Sequence, residues 1–244
     1  MVKSMIKYVF QKYIDKLHMI VDTQFERHEW IQQQIADLEP GLMLLDAGCG
    51  NQRYRPFCEH LNYKAQDFGK YEKDEVASYT GKKIPYQYGQ LDYVGDVWDI
   101  KEKDQTFDVI LCSEVLEHIP YPNETLKEFH RLLKVGGLLI LTVPANALRH
   151  WDPYFFISGY SNRYFEHILP ELGFMDIGIQ QAGDYYRWLA IELYRTSRII
   201  ERNILNRAIL LPAFLFYLWK SQHPTIESQN TLCNGYFVTA RKGP

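Results

Sequence analysis

The chain has little of what marks specialised classes of protein. Its four cysteines, Cys49, Cys58, Cys112 and Cys233, are widely spaced and form no Cys-x-x-Cys pair. That spacing suggests neither a disulfide framework nor a zinc site, and the thiols read as reduced, as in a cytoplasmic protein. Basic charge is not in excess: 27 Lys and Arg against 30 Asp and Glu leave a formal net charge of −3. A protein that grips phosphate backbones needs a positive footprint, so nucleic acid is disfavoured as a partner. There is no internal repeat and no low-complexity tract. Met1 to Tyr8 lacks an apolar core and a small-residue cleavage site, so export is not expected. The most apolar run, Ala208 to Trp219, is about a dozen residues and contains Pro212, against roughly 20 residues for a membrane-spanning helix.

What is present is an alternation of strand and helix signals. Residues 1–40 read as an N-terminal helical segment, with Ile6, Val9, Phe10, Tyr13, Ile14 and Leu17 at three- and four-residue steps, closed by Glu39-Pro40-Gly41. Leu42 to Asp46 is a short apolar run entering Gly48-Cys49-Gly50, the pattern of a buried parallel strand before a tight turn. Further strands are expected at 63–67, 91–96, 107–112, 138–143, 174–180 and 235–241. Helices are expected at 55–61, from Asn123 as cap through Leu133, and from Ser161 to Leu172. Residues 41–182 with 235–244 then form one α/β core, a mostly parallel seven-stranded sheet with helices on both faces. Residues 183–234 form a helical insertion before the last strand, with helices at 188–202 and 204–218. Arg195, Arg198 and Arg202 share a face there. Its length and apolar content predict that Trp188, Leu189, Leu193, Leu210, Leu211 and Phe214 are largely buried against the core, a second copy of the chain in a homodimer, or lipid through a peripheral membrane contact.

The turn Asp46-Ala47-Gly48-Cys49-Gly50-Asn51 carries the sharpest chemistry. Glycines let a ligand approach the backbone and supply unusual dihedrals. A dinucleotide fingerprint would need a third glycine where Arg53 stands, and a carboxylate at Asp46 repels pyrophosphate but suits an ammonium group. Here the chain resembles the class I S-adenosylmethionine-dependent methyltransferases, whose first motif is D-x-G-x-G after the first strand. Asp67 follows at the end of the second strand, where an acidic side chain can accept from both ribose hydroxyls. Gly95 to Ile100 is similar to the family's segment after the third strand, which implies that Asp96 and Val97 hold adenine, with Asp92 and Asp99 competing for the role. Phe107 to His118 looks like the fourth-strand motif, Ser113 included, and Arg131 to Gly137 like the helix and turn before the fifth strand.

The resemblance covers roughly residues 41 to 181 and the last strand. It implies a Rossmann-like fold, S-adenosylmethionine as cofactor, and methyl transfer to an oxygen or nitrogen of a small-molecule or glycan acceptor. Asn51-Gln52-Arg53 departs from the family pattern; Gln52 or Arg53 could reach the methionine carboxylate or simply face solvent. Acceptor-side residues are expected in the loop after the fifth strand, where His150, Trp151, Asp152, Pro153 and Tyr154 suggest a general base beside aromatic surface. This H-x-D-P-Y stretch is similar to one in methyltransferases of surface-polysaccharide and secondary-metabolite pathways. His118 is the other candidate catalytic residue. Glu114, Glu117 and His118 also resemble the magnesium-binding segment of certain quinone-pathway and RNA-terminal methyltransferases, whereas metal-free relatives use such a histidine in a structural hydrogen bond. No metal is assigned. The rival readings are a metal-assisted RNA or quinone O-methyltransferase and a cofactor-binding scaffold without catalysis.

Overall fold

A computed structural model describes residues 23–70, 88–197 and 203–244. Arg198, Arg202 and the helical pattern before Thr23 lie outside the described residues. The chain divides into two compact units, residues 31–181 with 235–244 and residues 1–30 with 182–234.

The larger unit is built on a seven-stranded sheet of order β3-β2-β1-β4-β5-β7-β6. Its strands are β1 (Met43–Ala47), β2 (Asn62–Asp67), β3 (Tyr93–Val94), β4 (Phe107–Ser113), β5 (Leu133–Pro144), β6 (Phe174–Ala182) and β7 (Gly235–Lys242). The pairs β1–β2, β1–β4, β2–β3 and β4–β5 are parallel and β5–β7 is antiparallel. Central strands covered on both faces must be apolar on both, and Leu44, Leu45, Ile110, Leu111, Ile140 and Leu141 are fully buried. Helix α1 (Thr23–Ala36) contributes Ile31 and Ile35 to this core. Helix α2 (Pro122–Leu132) contributes Leu126, Phe129 and Leu132, and α3 (Asn162–Glu171) contributes Phe165 and Leu169, each at helical spacing.

Several sequence expectations need correction. The expected helix over 55–61 is a single 3-10 turn, Arg55–Phe57, with Pro56 inside it. Asn123 does not cap α2: Tyr121 holds the cap position, Pro122 starts the helix, and Asn123 Oδ1 accepts from the Tyr164 hydroxyl at 2.6 Å. The stretch before Leu138 is already strand, because Leu133 pairs with Phe107 across a bulge and Gly136, at φ 77°, absorbs the irregularity. Arg131 shows why its motif matters: its guanidinium takes the carbonyls of Ile100 and Glu102, while Glu128 accepts from Ile100 N–H. That clamp fixes the segment following β3.

The smaller unit contains α4 (Tyr185–Arg195), α5 (Ile204–Lys220) and the short α6 (Ile226–Thr231). Asp184 is 3 % exposed and makes two connections. One oxygen caps α4 through Arg187 N–H at 2.9 Å and the other accepts from Ser228 Oγ at 2.6 Å. Thr225 and Ser228 complete a capping box on α6, and Arg187 pairs with Glu26. Expected burial in this unit holds only in part. Phe214 is 7 % exposed and Trp188, Leu189, Leu193 and Leu210 are half-buried, but Leu211 is 52 % exposed, because the inner side of α5 alone meets α4. Helix α5 also continues through Pro212.

Candidate functional site

The carboxyl ends of β1, β2 and β4 converge on the glycine turn, as ligand sites of open α/β sheets do. Gly48 and Gly50 have φ of 71° and 55°, and a Cβ on Gly48 would stand 2.5 Å from a Val115 methyl. Only glycine combines that dihedral with that contact. Cys49 and Gly48 N–H both donate to the Gln66 carbonyl at 2.9 Å, which ties the turn to β2. Gly50 N–H donates to Asp67 Oδ2 at 2.9 Å. The Gln66 side chain accepts from Gly48 N–H and donates to the Gly95 carbonyl, so one amide joins the glycine turn to the segment after β3.

Four predicted positions, Gly48, Gly50, Asp67 and the Gly95–Val97 segment, are thereby held together. Asp67 is 5 % exposed; burial pushes its carboxyl up, and hydrogen bonds from Gly50, Gly69, Tyr88 and Phe68 pull it back. Among the three aspartates near β3, Asp92 is committed to Lys64 and Ala65 N–H, and Asp99 to Lys101. Asp96 is the one that flanks buried Val97 without such a commitment to lysine. Asp46 differs from its neighbours in being tied inward. It is 2 % exposed and accepts from the Tyr63 hydroxyl at 2.6 Å, and burial raises its carboxyl to about 7. Of the two residues left open in the turn, Gln52 is buried, bonded to the Gln90 carbonyl and to Arg55, whereas Arg53 is exposed.

The second cluster lies at the ends of β4 and β5. Ser113 Oγ and Thr142 Oγ1 are 2.9 Å apart, and Thr142 donates to Glu114 at 3.2 Å. Glu114, at φ 54°, is not among the donors that converge with Glu117 and His118. In its place the loop after β5 brings His150: the His118 and His150 rings meet edge-on with centroids 4.8 Å apart, and Phe155 packs near both. One donor atom each from Glu117, His118 and His150 lies within 4.8 Å of the others, a set that could hold a metal ion. Both imidazoles face backbone carbonyls through Nδ1, His118 that of Tyr154 at 2.5 Å and His150 that of Leu148 at 2.7 Å. A carbonyl only accepts, so both Nδ1 atoms carry the proton. Burial pushes His118 down to about 4, with His150 adding to the fall and the Tyr154 bond opposing it. At neutral pH His118 is therefore uncharged, and it is a weak base.

Sequence reasoning missed Gln66, Tyr63 and Tyr160, whose hydroxyl donates to the Leu116 carbonyl at 2.9 Å. Gln66 carried a faint signal, a polar residue inside an expected buried strand. The other two read as ordinary core aromatics.

Known proteins resemble this chain in sequence and in fold. A family model described as a methyltransferase domain matches residues 5–179. The demethylmenaquinone methyltransferase of Bacillus cereus is 27% identical over 188 residues, covering 74% of this chain and 76% of the relative. The mitochondrial ubiquinone biosynthesis O-methyltransferase of Candida albicans is 28% identical over 135 residues, 54% of this chain and 39% of the relative. Among solved structures, a SAM-dependent methyltransferase from Archaeoglobus fulgidus superposes with TM-score 0.54 at 16% identity, covering 94% of this chain and 100% of that one. Phosphoethanolamine N-methyltransferase 2 of Haemonchus contortus, in complex with S-adenosyl-L-methionine, gives 0.52 at 17% identity over 90% of this chain and 53% of that one. The glycine turn, the acidic end of β2 and the Asp96–Val97 segment stand together at one edge of this fold. The chain thus belongs to the methyltransferase-domain family, and it is a class I enzyme that uses S-adenosylmethionine.

Proposed function

We propose that the enzyme methylates an oxygen or nitrogen of a small-molecule acceptor, of hydroxyl-rich, sugar-like type, held beside the loop that follows β5. The observation that carries this reading is the packing of His150 and Phe155 against His118 at the ends of β4 and β5, which sets a polar group beside aromatic surface. The relatives named for demethylmenaquinone and ubiquinone biosynthesis support a small-molecule acceptor. On the cofactor side, Asp67 takes the ribose hydroxyls, Asp96 and Val97 the adenine, and Gly48 and Gly50 allow close approach of the amino-acid moiety. Asp46, whose buried carboxyl ionises only near pH 7, is held in its charged form by the cofactor's ammonium group, and Ser113 closes the end of β4. The cofactor brings a methyl group already activated on a sulfonium. The protein's work is to align the acceptor and exclude water, and for a hydroxyl acceptor to remove a proton. His150 is the base in this reading. His118, a weak base bonded to Tyr154, positions the loop.

The test is transfer of labelled methyl groups to a panel of sugars, phenols, amines and RNA. Label on a sugar hydroxyl or small amine, with His150→Ala lowering kcat about 10²- to 10⁴-fold on a hydroxyl acceptor, fits the proposal. Label on RNA alone contradicts it. A second reading, metal-assisted O-methylation of a quinone-type or RNA acceptor, is favoured by the convergence of Glu117, His118 and His150. It requires turnover to vanish on chelation and to return with a divalent ion.

A further inference from the structure

The outward side of α5 is apolar, the reverse of what a surface helix in water presents. Ile204, Leu205, Ile209, Leu215, Phe216 and Trp219 are each about half exposed or more, reaching 84 % at Ile204. At roughly 100° per residue they fall, with Ala208 and Pro212 between them, on one arc of about 140°. The opposite side packs within its own unit: Phe214 approaches Tyr194 and Tyr217 approaches Tyr186, with ring centroids 6.3 Å apart in each pair. Apolar residues scattered singly over a surface need no explanation, but a continuous stripe along a 17-residue helix marks a contact.

Charge says what that contact is. Between Asn203 and Thr225 the sequence has no Asp or Glu, and its charged residues are Arg207 and Lys220. On the helical wheel Lys220 falls just beyond one edge of the apolar arc, its ammonium 5.2 Å above the Tyr186 ring, while Arg207 lies about 60° beyond the other edge and donates to the Ser197 carbonyl. A segment whose only charges are cations, one of them adjoining the apolar arc, in a chain whose formal net charge is −3, is complementary to anionic headgroups. Phe216, Trp219 and His223 gather at the carboxyl end with ring centroids 6.3 and 5.3 Å apart, the amphipathic rings that settle at a headgroup boundary. A second copy fits less well. An isologous pairing of two such helices brings no opposite charge to the contact, since each helix carries cations and no carboxylate. Among the described residues no helix is long and apolar enough to cross a membrane.

We propose that α5 is an interfacial helix that rests its outward face on an anionic lipid surface, a role independent of which acceptor the enzyme methylates. The test is flotation of the full chain with vesicles of phosphatidylcholine alone and of phosphatidylcholine mixed with phosphatidylglycerol, at about 50 and 500 mM salt. The double variant Ile209→Glu/Phe216→Glu is floated in parallel. Both positions face outward, so the variant keeps its fold, which unchanged S-adenosylhomocysteine binding verifies. The chain is expected to float with the anionic vesicles, less so at high salt, and the variant to bind at least about tenfold more weakly. Three results would overturn the proposal. One is no flotation with either vesicle. Another is equal flotation of the variant, which assigns binding to another surface. The third is a dimer in solution that the variant dissociates while neither protein binds vesicles, which gives the face to a second copy.

Discussion

Burial sets the behaviour of the two carboxylates that end β1 and β2. Asp67 is held by N–H groups of the turn it serves, so a ribose would add to a carboxylate already oriented. Asp67→Ala should weaken S-adenosylhomocysteine binding by roughly 1 to 3 kcal/mol, read by calorimetry; an unchanged affinity in a folded variant would move the ribose contact elsewhere. Asp46 gives a pH prediction. Its folded-state pKa is raised from 3.8 to about 7 by burial, against the pull of the Tyr63 hydroxyl and with Asp67 adding to the rise. Folding therefore favours the protonated form: that contribution is full below about pH 4 and is lost as pH rises through about 7. The melting temperature of the ligand-free enzyme, taken relative to Asp46→Asn, should fall between those limits. A constant difference would show that Asp46 ionises freely in the fold. Neither property is legible in the sequence, which puts both aspartates at the carboxyl ends of strands but does not show that Tyr63 reaches across from β2.

At the level of elements, what the sequence made readable were the strands and turns that chemistry leaves little choice about. β1, β4, β6 and β7 fall within a residue or two of expectation because apolar runs bounded by Gly, Asp and Pro have few other uses. The helix expected at 55–61 fails where Pro56 and a short connection to β2 leave room for only one turn. The meeting of His118 and His150 was hidden because one ends a 3-10 turn after β4 and the other lies in the loop after β5, and only the path of that loop unites them. The glycine turn offers the sharpest test at this scale. Gly48→Ala would force a Cβ to 2.5 Å from Val115 at φ 71°. We expect a loss of about 1 to 3 kcal/mol in denaturant unfolding together with loss of cofactor affinity. A variant as stable as the parent would mean that the turn relaxes freely.

Across the whole molecule, the family could be read from four ordered motifs, and the structure explains their order: the glycine turn, Asp67, Asp96–Val97 and the end of β4 stand side by side on adjacent strands. The smaller unit was legible as helical, but not as a helix with its apolar side outward, since periodicity alone does not say which side of α5 meets α4. Everything claimed for acceptor chemistry rests on this edge of the sheet binding the cofactor. The most direct measurement is calorimetric titration of S-adenosylhomocysteine into the ligand-free protein, with thermal unfolding alongside. The account predicts saturable one-to-one binding with a dissociation constant below about 1 mM and a rise in melting temperature. Absence of both heat and thermal shift at millimolar ligand would contradict it.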